Sequence, residues 1–105
     1  HSVIGLRCRI GHDVTIRDSI VMGNDYYQPP VEFDHDSNNG RPPLGIGEGT
    51  HVERAIIDKN CRIGRRCRVA NDQGIDSDER GEYATIREGI VIVNKGGILP
   101  DDSVI

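Results

Sequence analysis

The side chains best suited to chemistry in this sequence are its positive charges, which are unevenly spread. Residues 54–68 hold a basic block made of Arg54, Lys59, Arg62, Arg65, Arg66 and Arg68. Of the 13 cations, only Lys59 and Lys95 are lysines. A lysine ammonium is a compact point charge suited to phosphate, and an arginine fork binds phosphate through two hydrogen bonds. Charge patterning predicts an outward-pointing block that is either a solvated face or an anion site.

The other reactive residue types predict no catalytic or metal centre. The three cysteines recur where a small buried side chain would serve, and a free cysteine is most often a small buried hydrophobe. The four histidines, His1, His12, His35 and His51, lack the close spacing of a metal site. The acidic stretch at Asp34–Asp36 is interpreted as a solvated loop. The glycines of Gly45–Gly49 lack the strand-to-helix context of a phosphate loop and are interpreted as turn residues.

Length and composition limit what can position these groups. The chain has 105 residues with 35% hydrophobic and 4% aromatic side chains, which predicts one small domain without a core of large rings. A formal net charge of −4 gives no support to nucleic-acid binding. No apolar run approaches the roughly 20 residues of a membrane span. Three cysteines without a close-set pair fit a reducing cytosol, so we expect a cytoplasmic protein.

A repeat of six residues organises most of the chain. Branched aliphatic residues recur at this step in three runs, with one five-residue step before Ile57: Ile4, Ile10, Ile16, Met22; Ile46, Val52, Ile57, Ile63, Val69; Ile86, Ile92, Ile98, Val104. A small or β-branched residue usually follows four positions later. Because a hexad cannot bury its apolar side alone, stacked coils must supply its neighbours.

The repeat predicts an all-β parallel β-helix as a single domain over residues 1–105. Two segments interrupt it and are predicted to be extruded loops, at about residues 24–43 and 70–85. The chain also begins and ends at hexad boundaries, as expected for part of something larger. The residues do not fix the handedness; hexapeptide β-helices as a class are left-handed.

Four stretches carry a resemblance to a known family: "HSVIGLRCRI", "MGNDYYQ", "LGIGEGTHVERAIIDKNCRIG" and "REGIVIVNKGGILPDDSVI". In this order they resemble the C-terminal β-helix domain of ADP-glucose pyrophosphorylase (glucose-1-phosphate adenylyltransferase), most closely its cyanobacterial and plant type. The resemblance implies a left-handed β-helix. It also implies a homotetrameric, Mg²⁺-dependent parent enzyme that makes ADP-glucose and pyrophosphate from ATP and glucose 1-phosphate for glycogen or starch synthesis.

The resemblance also implies a division of labour. Catalysis belongs to an N-terminal nucleotidyltransferase domain outside this chain, so the 105 residues alone are expected to be inactive. The β-helix domain contacts that catalytic domain, supports assembly and helps to bind a phosphorylated effector. Lys59 and Lys95 match the two effector-binding lysines, and Arg54 matches a basic position that contacts effector or a neighbouring subunit. The expected effectors are 3-phosphoglycerate, with inorganic phosphate as a further ligand, or a fructose phosphate, because "NKGG" from Asn94 departs from the family pattern.

Two other functions remain open from the residues. A stand-alone hexapeptide acyltransferase would need a catalytic histidine on an extruded loop, and His35 is the one candidate there. A purely structural oligomerisation module would need no ligand at all.

Overall fold

The structure, a computed structural model, describes residues 2–25 and 42–105. Within those residues the chain forms short β-strands and no helix, so no helix there could cross a membrane. The strands are β1 (Val3–Ile4), β2 (Thr15–Arg17), β3 (Ile20–Val21), β4 (Gly45–Ile46), β5 (His51–Glu53), β6 (Ala55–Ile57), β7 (Arg62–Ile63), β8 (Arg68–Val69), β9 (Ser77–Glu79), β10 (Ala84–Arg87), β11 (Ile90–Val93) and β12 (Ile98–Leu99).

The strands stack into a three-sided parallel β-helix, as the six-residue repeat predicts. Face A contains β1, β3, β6 and β11 in parallel order, face B contains β4, β7 and β12, and face C contains β2, β5 and β8. Each turn of the chain visits all three faces, so four coils lie one above another. Isolated bridges from Ile10 to Ile46 and from Arg68 to Val104 extend faces B and C to all four coils.

Branched side chains from each face fill the core in vertical columns. On face A the inward column is Ile4, Val21, Ile57 and Val93; on face B it is Ile10, Ile46, Ile63 and Leu99; on face C it is Ile16, Val52, Val69 and Ile105. The two coils in the middle are the most completely covered, with Val52 and Val69 at 0% exposure. Among residues 2–25 and 42–105 no further coil covers the first one, and Ile4 and Ile10 there are more than 40% exposed.

The repeat was predicted in the wrong phase in two places. Val21, not Met22, fills the core of the first run, and Met22 is 44% exposed. In the last run the inward residues are Val93, Leu99 and Ile105 in place of the predicted Ile92, Ile98 and Val104. Counting four positions on from Ile16, Val52 and Ile86 predicts Ile20, Ile56 and Ile90 as the small corner residues. The structure instead buries Ser19, Ala55 and Val91 there.

A shortened corner between faces C and A causes the first phase error, and an antiparallel strand causes the second. The inward step there is five residues, from Ile16 to Val21 and again from Val52 to Ile57. Asp18 and Arg54 make this tighter turn with φ of 48° and 47°, in the left-handed region that asparagine, aspartate and glycine visit most readily. Ile86, from which the last run was counted, belongs to the antiparallel strand β10 and does not set the phase of the coil.

Close stacking of the coils explains one recurring glycine. A Cβ atom on Gly47 would lie 2.6 Å from the carbonyl carbon and oxygen of Gly64 in the next coil. Since real Cβ atoms never approach backbone so closely, a larger residue would force the two coils apart.

The second predicted loop contains regular structure of its own. β9 and β10 fall largely within residues 70–85 and pair antiparallel with each other, and β10 pairs antiparallel with β11. Glu88 and Gly89, with φ of 51° and 79°, form the two-residue turn that joins β10 to β11. The buried side chains of Ala84 and Ile86 extend the core beyond the last coil, and the fully exposed strand β9 forms the polar edge. Most of the first predicted loop, 24–43, lies outside the described residues.

The corrected phase predicts that Leu99→Ala lowers the free energy of unfolding by about 2–5 kcal/mol, because it leaves a cavity between coils. Leu6→Ala is the matched control, since Leu6 is 76% exposed and Leu99 is 6% exposed. The control is expected to cost less than about 0.5 kcal/mol. Urea denaturation of the two variants measures the difference, and equal losses would contradict the assigned columns.

Candidate functional site

Lys59 and Lys95 occupy the same turn in consecutive coils. Each lies two residues after its face A strand, β6 or β11, and Ile57 and Val93 at the ends of these strands are paired in register. The backbone N–H of Gly96 donates to the carbonyl of Lys59 at 2.9 Å, which continues the register through the turn. Paired strands lie about 4.8 Å apart, so the lysines stack one coil above the other. The structure therefore brings together two residues that are distant in sequence.

The turn backbone holds this arrangement. Asn60 and Gly96, which follow the two lysines, take left-handed φ values of 61° and 72°. Asp58 accepts a hydrogen bond from the Lys59 backbone N–H at 2.7 Å through its carboxylate. Asparagine and glycine suit these positions because they tolerate positive φ better than other residues.

A carboxylate that sequence reasoning did not assign completes the site. Asp25 Oδ1 lies 3.6 Å from the Lys59 Nζ, and both side chains are about half exposed. The amide of Asn60 binds Asp25 twice, because Asn60 Nδ2 donates to Asp25 Oδ2 at 2.9 Å and Asn60 Oδ1 accepts from the Asp25 backbone N–H at 2.9 Å. The one signal in the sequence was the place of Asp25 within "MGNDYYQ", where the chain leaves the coil.

The electrostatics favour an ionised Asp25. Hydrogen bonding from Asn60 is the largest cause that holds the pKa of Asp25 below its ordinary value, and the positive charges of Lys59 and Lys95 lower the pKa further. Because the charges of both lysines lower the pKa of the same carboxylate, the two ammonium groups lie near each other. Stacked like charges repel each other, so a column of two lysines favours an anion beside it.

Lys95 is the cation with the least compensation at this corner. Within residues 2–25 and 42–105 its side chain takes part in no ion pair or side-chain hydrogen bond, and it is exposed. The ammonium is therefore open to solvent ligands.

Arg54 is not part of the lysine pair. It precedes β6 whereas Lys59 follows it, so their Cα atoms lie roughly 15 Å apart at about 3.3 Å per residue. Its guanidinium lies 3.7 Å from Glu53 and is mostly exposed. Arg54 therefore lies at a different corner from Lys59 and Lys95. Its contact with an effector or a neighbouring subunit stays a prediction.

The rest of the basic block also divides among different surroundings. Arg62 lies in the outward column of face B, as predicted, but it is buried at 6% exposure and its guanidinium donates to the Pro42 carbonyl at 3.1 Å. Arg66 forms a two-point hydrogen bond with Asp102 at 2.8 and 3.2 Å. Arg68 binds Asp72 in the same manner, with one bond of 3.0 Å. Cations that already have such partners are poorly placed to recruit a soluble anion.

The cysteines are packing residues, as predicted. Cys61 and Cys67 are buried and unpaired, and burial raises the pKa of the Cys61 thiol to about 11. Burial raises the pKa of Cys67 and of the half-buried Cys8 as well. A thiol with a raised pKa is a poor nucleophile and a poor metal ligand at neutral pH.

The two histidines that the structure describes, His12 and His51, do not converge. His51 lies 3.2 Å from Glu53, and His12 is exposed at a different turn. In the part of the chain that the structure describes, no group of three or more histidine, cysteine, aspartate or glutamate residues could hold a metal ion. His1, His35 and Asp34–Asp36 lie outside the described residues.

Comparison with family models gives one match. The model described as the GLGC left-handed parallel beta-helix domain matches residues 1–104. The match covers nearly the whole chain and agrees with the three-sided β-helix and with the predicted handedness.

The contacts of Asp25 predict that Asn60→Gly raises the pKa of the Asp25 carboxyl more than Lys59→Met does, because the Asn60 hydrogen bond is the larger cause of its lowering. Glycine removes the amide without straining a backbone of positive φ. Carboxyl ¹³C titration by NMR measures the pKa in each variant. Asp102, at another corner, is the internal control, and a larger rise with Lys59→Met would contradict the assigned order.

Proposed function

Because the chain belongs to the GLGC left-handed β-helix family, the C-terminal domain of glucose-1-phosphate adenylyltransferase, we propose that it is a regulatory and assembly domain that binds a phosphorylated effector. The family is one of nucleotidyltransferases. The proposed reaction of the parent enzyme is the formation of ADP-glucose and pyrophosphate from ATP and glucose 1-phosphate.

The stacked pair of Lys59 and Lys95 is the observation that carries the proposal. Two ammonium groups on consecutive coils present a double positive charge at one exposed corner of an acidic protein. A phosphate monoester carries about −1.5 to −2 charges near neutral pH and has three acceptor oxygens. It matches the lysine pair in charge and offers a separate oxygen to each ammonium. The proposed ligands are 3-phosphoglycerate or a fructose phosphate, with inorganic phosphate competing for the same charges.

Regulation requires that the effector bind two states of the enzyme with different affinity. An effector that bridges Lys59 and Lys95 and also touches the catalytic domain would favour the arrangement of domains in which both contacts exist. The β-helix is a rigid support for this purpose, since its turns are fixed by hydrogen bonds between coils. The lysine corner thus acts as a fixed half of an interdomain site.

Catalysis and its cofactor belong to the catalytic domain in this proposal. Mg²⁺ would be bound there, where it would neutralise charge on the ATP phosphates. The β-helix contributes binding and positioning of the effector and no chemical step. We propose a cytoplasmic enzyme, or a plastid enzyme in a plant, acting in glycogen or starch synthesis.

We place the assembly contact of the proposed homotetramer on the outer side of face A. The outward column there is apolar in every coil, with Val3 at 63% exposure above Ile20 at 45%, followed by the half-buried Ile56 and Ile92. The outward columns of faces B and C carry polar or charged residues such as Arg9, Arg62, His51 and Arg68. A continuous apolar column on an outer surface is a usual mark of a protein contact.

Charge reversal tests the effector site. Lys59→Glu or Lys95→Glu in the whole enzyme is expected to raise the effector concentration for half-maximal activation at least tenfold, which corresponds to about 1.4 kcal/mol of lost binding or coupling. Arg65→Glu is the control, since Arg65 belongs to the same basic block but lies at another corner, and it is expected to change activation by less than about twofold. Activation curves measured at fixed ATP and glucose 1-phosphate decide between them. Unchanged curves in both lysine variants would refute the proposed site.

A second substitution tests the assembly face. Ile20→Glu is expected to shift tetramer dissociation to at least about tenfold higher protein concentration, because an unpaired carboxylate is costly to bury in a contact. Val104→Glu makes a comparable change on face C, where Val104 is 69% exposed, and should leave assembly as it is. Sedimentation equilibrium measures both, and equal behaviour of the two variants would remove the contact from face A.

A further inference from the structure

The carboxylate of Asp25 occupies space beside Lys59 that a bound anion would need. Asp25 Oδ1 lies 3.6 Å from the ammonium, on the corner where Lys59 and Lys95 stack. Both lysine charges act on this carboxylate. The site as the structure shows it is therefore already supplied with one negative charge by the chain itself.

Three contacts fix Asp25 in this place. Asn60 holds its backbone N–H and its Oδ2, each at 2.9 Å. Arg7 donates from Nε to the Asp25 backbone carbonyl at 3.1 Å, and the Arg7 carbonyl in turn accepts from Asn24 Nδ2 at 2.8 Å. The position of the carboxylate thus follows from the first three coils, which supply Arg7, Asn24 and Asn60 in turn. It is not a chance approach of a surface side chain.

The contact with Lys59 is the weakest contact that Asp25 makes. A separation of 3.6 Å is too long for a good hydrogen bond, and both partners are about half exposed to water. Exposed ion pairs of this kind contribute little to stability, because water screens the two charges. An incoming anion can therefore replace Asp25 Oδ1 beside the Lys59 ammonium, while Asp25 Oδ2 keeps its hydrogen bond to Asn60.

We propose that Asp25 is a built-in competitor for the anion position of the Lys59–Lys95 pair and sets the affinity and charge selectivity of that site. The inference rests on the proposed effector function and extends it. The chain holds Lys59 in an ion pair until a more highly charged ligand replaces the carboxylate.

Selectivity for charge follows from this competition. A ligand with a single carboxylate would exchange one −1 group for another beside Lys59 and gain little. A phosphate monoester brings up to two negative charges and so interacts more strongly with both lysines than Asp25 does. The site should accordingly take phosphate monoesters and discriminate against simple carboxylates.

The test is a titration of the intact protein with inorganic phosphate at neutral pH, followed by calorimetry. Asp25→Asn keeps the shape and an oxygen for Asn60 Nδ2 but removes the charge, and it is expected to bind phosphate about two- to fivefold more tightly, as loss of an exposed ion pair permits. Asp25→Glu retains the charge and should stay within about twofold of the natural protein. Asp102→Asn makes the same change beside Arg66 and should leave phosphate affinity unaltered.

Sulfate gives a second readout, because it remains doubly charged when Asp25 becomes protonated. Protonation removes the competing charge, so sulfate affinity of the natural protein should rise about two- to fivefold as the pH falls through the lowered pKa of Asp25, and Asp25→Asn should lack this rise. The other charged groups around Asp25 in the described residues are Lys59, Lys95, Arg7 and Asp58, and all are present in both proteins. Their contribution cancels in the comparison.

The outcomes separate the competitor from the site itself. Phosphate binding that is lost in Lys59→Glu and Lys95→Glu but unchanged or weakened in Asp25→Asn would overturn the competitor and leave the effector site in place. Phosphate binding that does not depend on either lysine would overturn the effector site, and the competitor with it. Tighter binding in Asp25→Asn that disappears when Lys59 is also reversed supports both.

Discussion

Hydrogen bonds between successive coils are the constraint on which the rest of this structure depends. Each coil offers its backbone N–H and C=O groups to neighbouring coils about 4.8 Å away, so residues of the paired coil strands have equivalents directly over them. The inward columns of valine and isoleucine follow from this register, and so does the need for glycine where backbones approach most closely. The same register stacks Lys59 on Lys95, although no local feature of either turn calls for a second charge.

Stacking of charges has a cost that the neighbouring groups reduce. Elsewhere in the described residues several arginines have acidic partners, as Arg66 has Asp102 and Arg68 has Asp72. At the lysine corner one carboxylate, Asp25, faces two ammonium groups. The Asp58 carboxylate in the same turn binds the Lys59 backbone N–H, and within the described residues no acidic side chain forms an ion pair with Lys95, which leaves room for a ligand of higher charge. Asp25 has two opposite effects at this corner. Its carboxylate reduces the repulsion between Lys59 and Lys95, and it also competes with any anionic ligand that would reduce that repulsion further.

The fold class was predictable from the sequence because a six-residue apolar period has few other physical explanations. The phase of the repeat was harder to predict from the sequence, because the corner between faces C and A takes five residues. The residues with positive φ at that corner, Asp18 and Arg54, are not of a type that marks such a turn reliably. Counting from Ile86 failed because a buried isoleucine in an antiparallel strand has the same appearance in sequence as one in a coil. The burial of Arg62 was not predictable because periodicity gives only the outward direction of its Cα–Cβ bond, whereas the Pro42 carbonyl that its guanidinium contacts comes from a segment 20 residues away in sequence. The pairing of Lys59 with Lys95 came from resemblance, whereas their closeness required the register. Asp25 could not be assigned from sequence because its role depends on Asn60, Lys59 and Lys95, which other coils contribute.

The central claim is that a tetrahedral anion binds at the Lys59–Lys95 column and displaces the Asp25 carboxylate from Lys59. A crystal structure of the intact protein soaked in selenate, located by its anomalous signal, tests both parts at once. The account predicts selenate within hydrogen-bonding distance of the Nζ atoms of Lys59 and Lys95, with Asp25 still bound to Asn60 and its Oδ1 moved away from Lys59. Selenate found instead at Arg65 and Arg66, or an unchanged ion pair between Asp25 and Lys59 beside an empty corner, would contradict it.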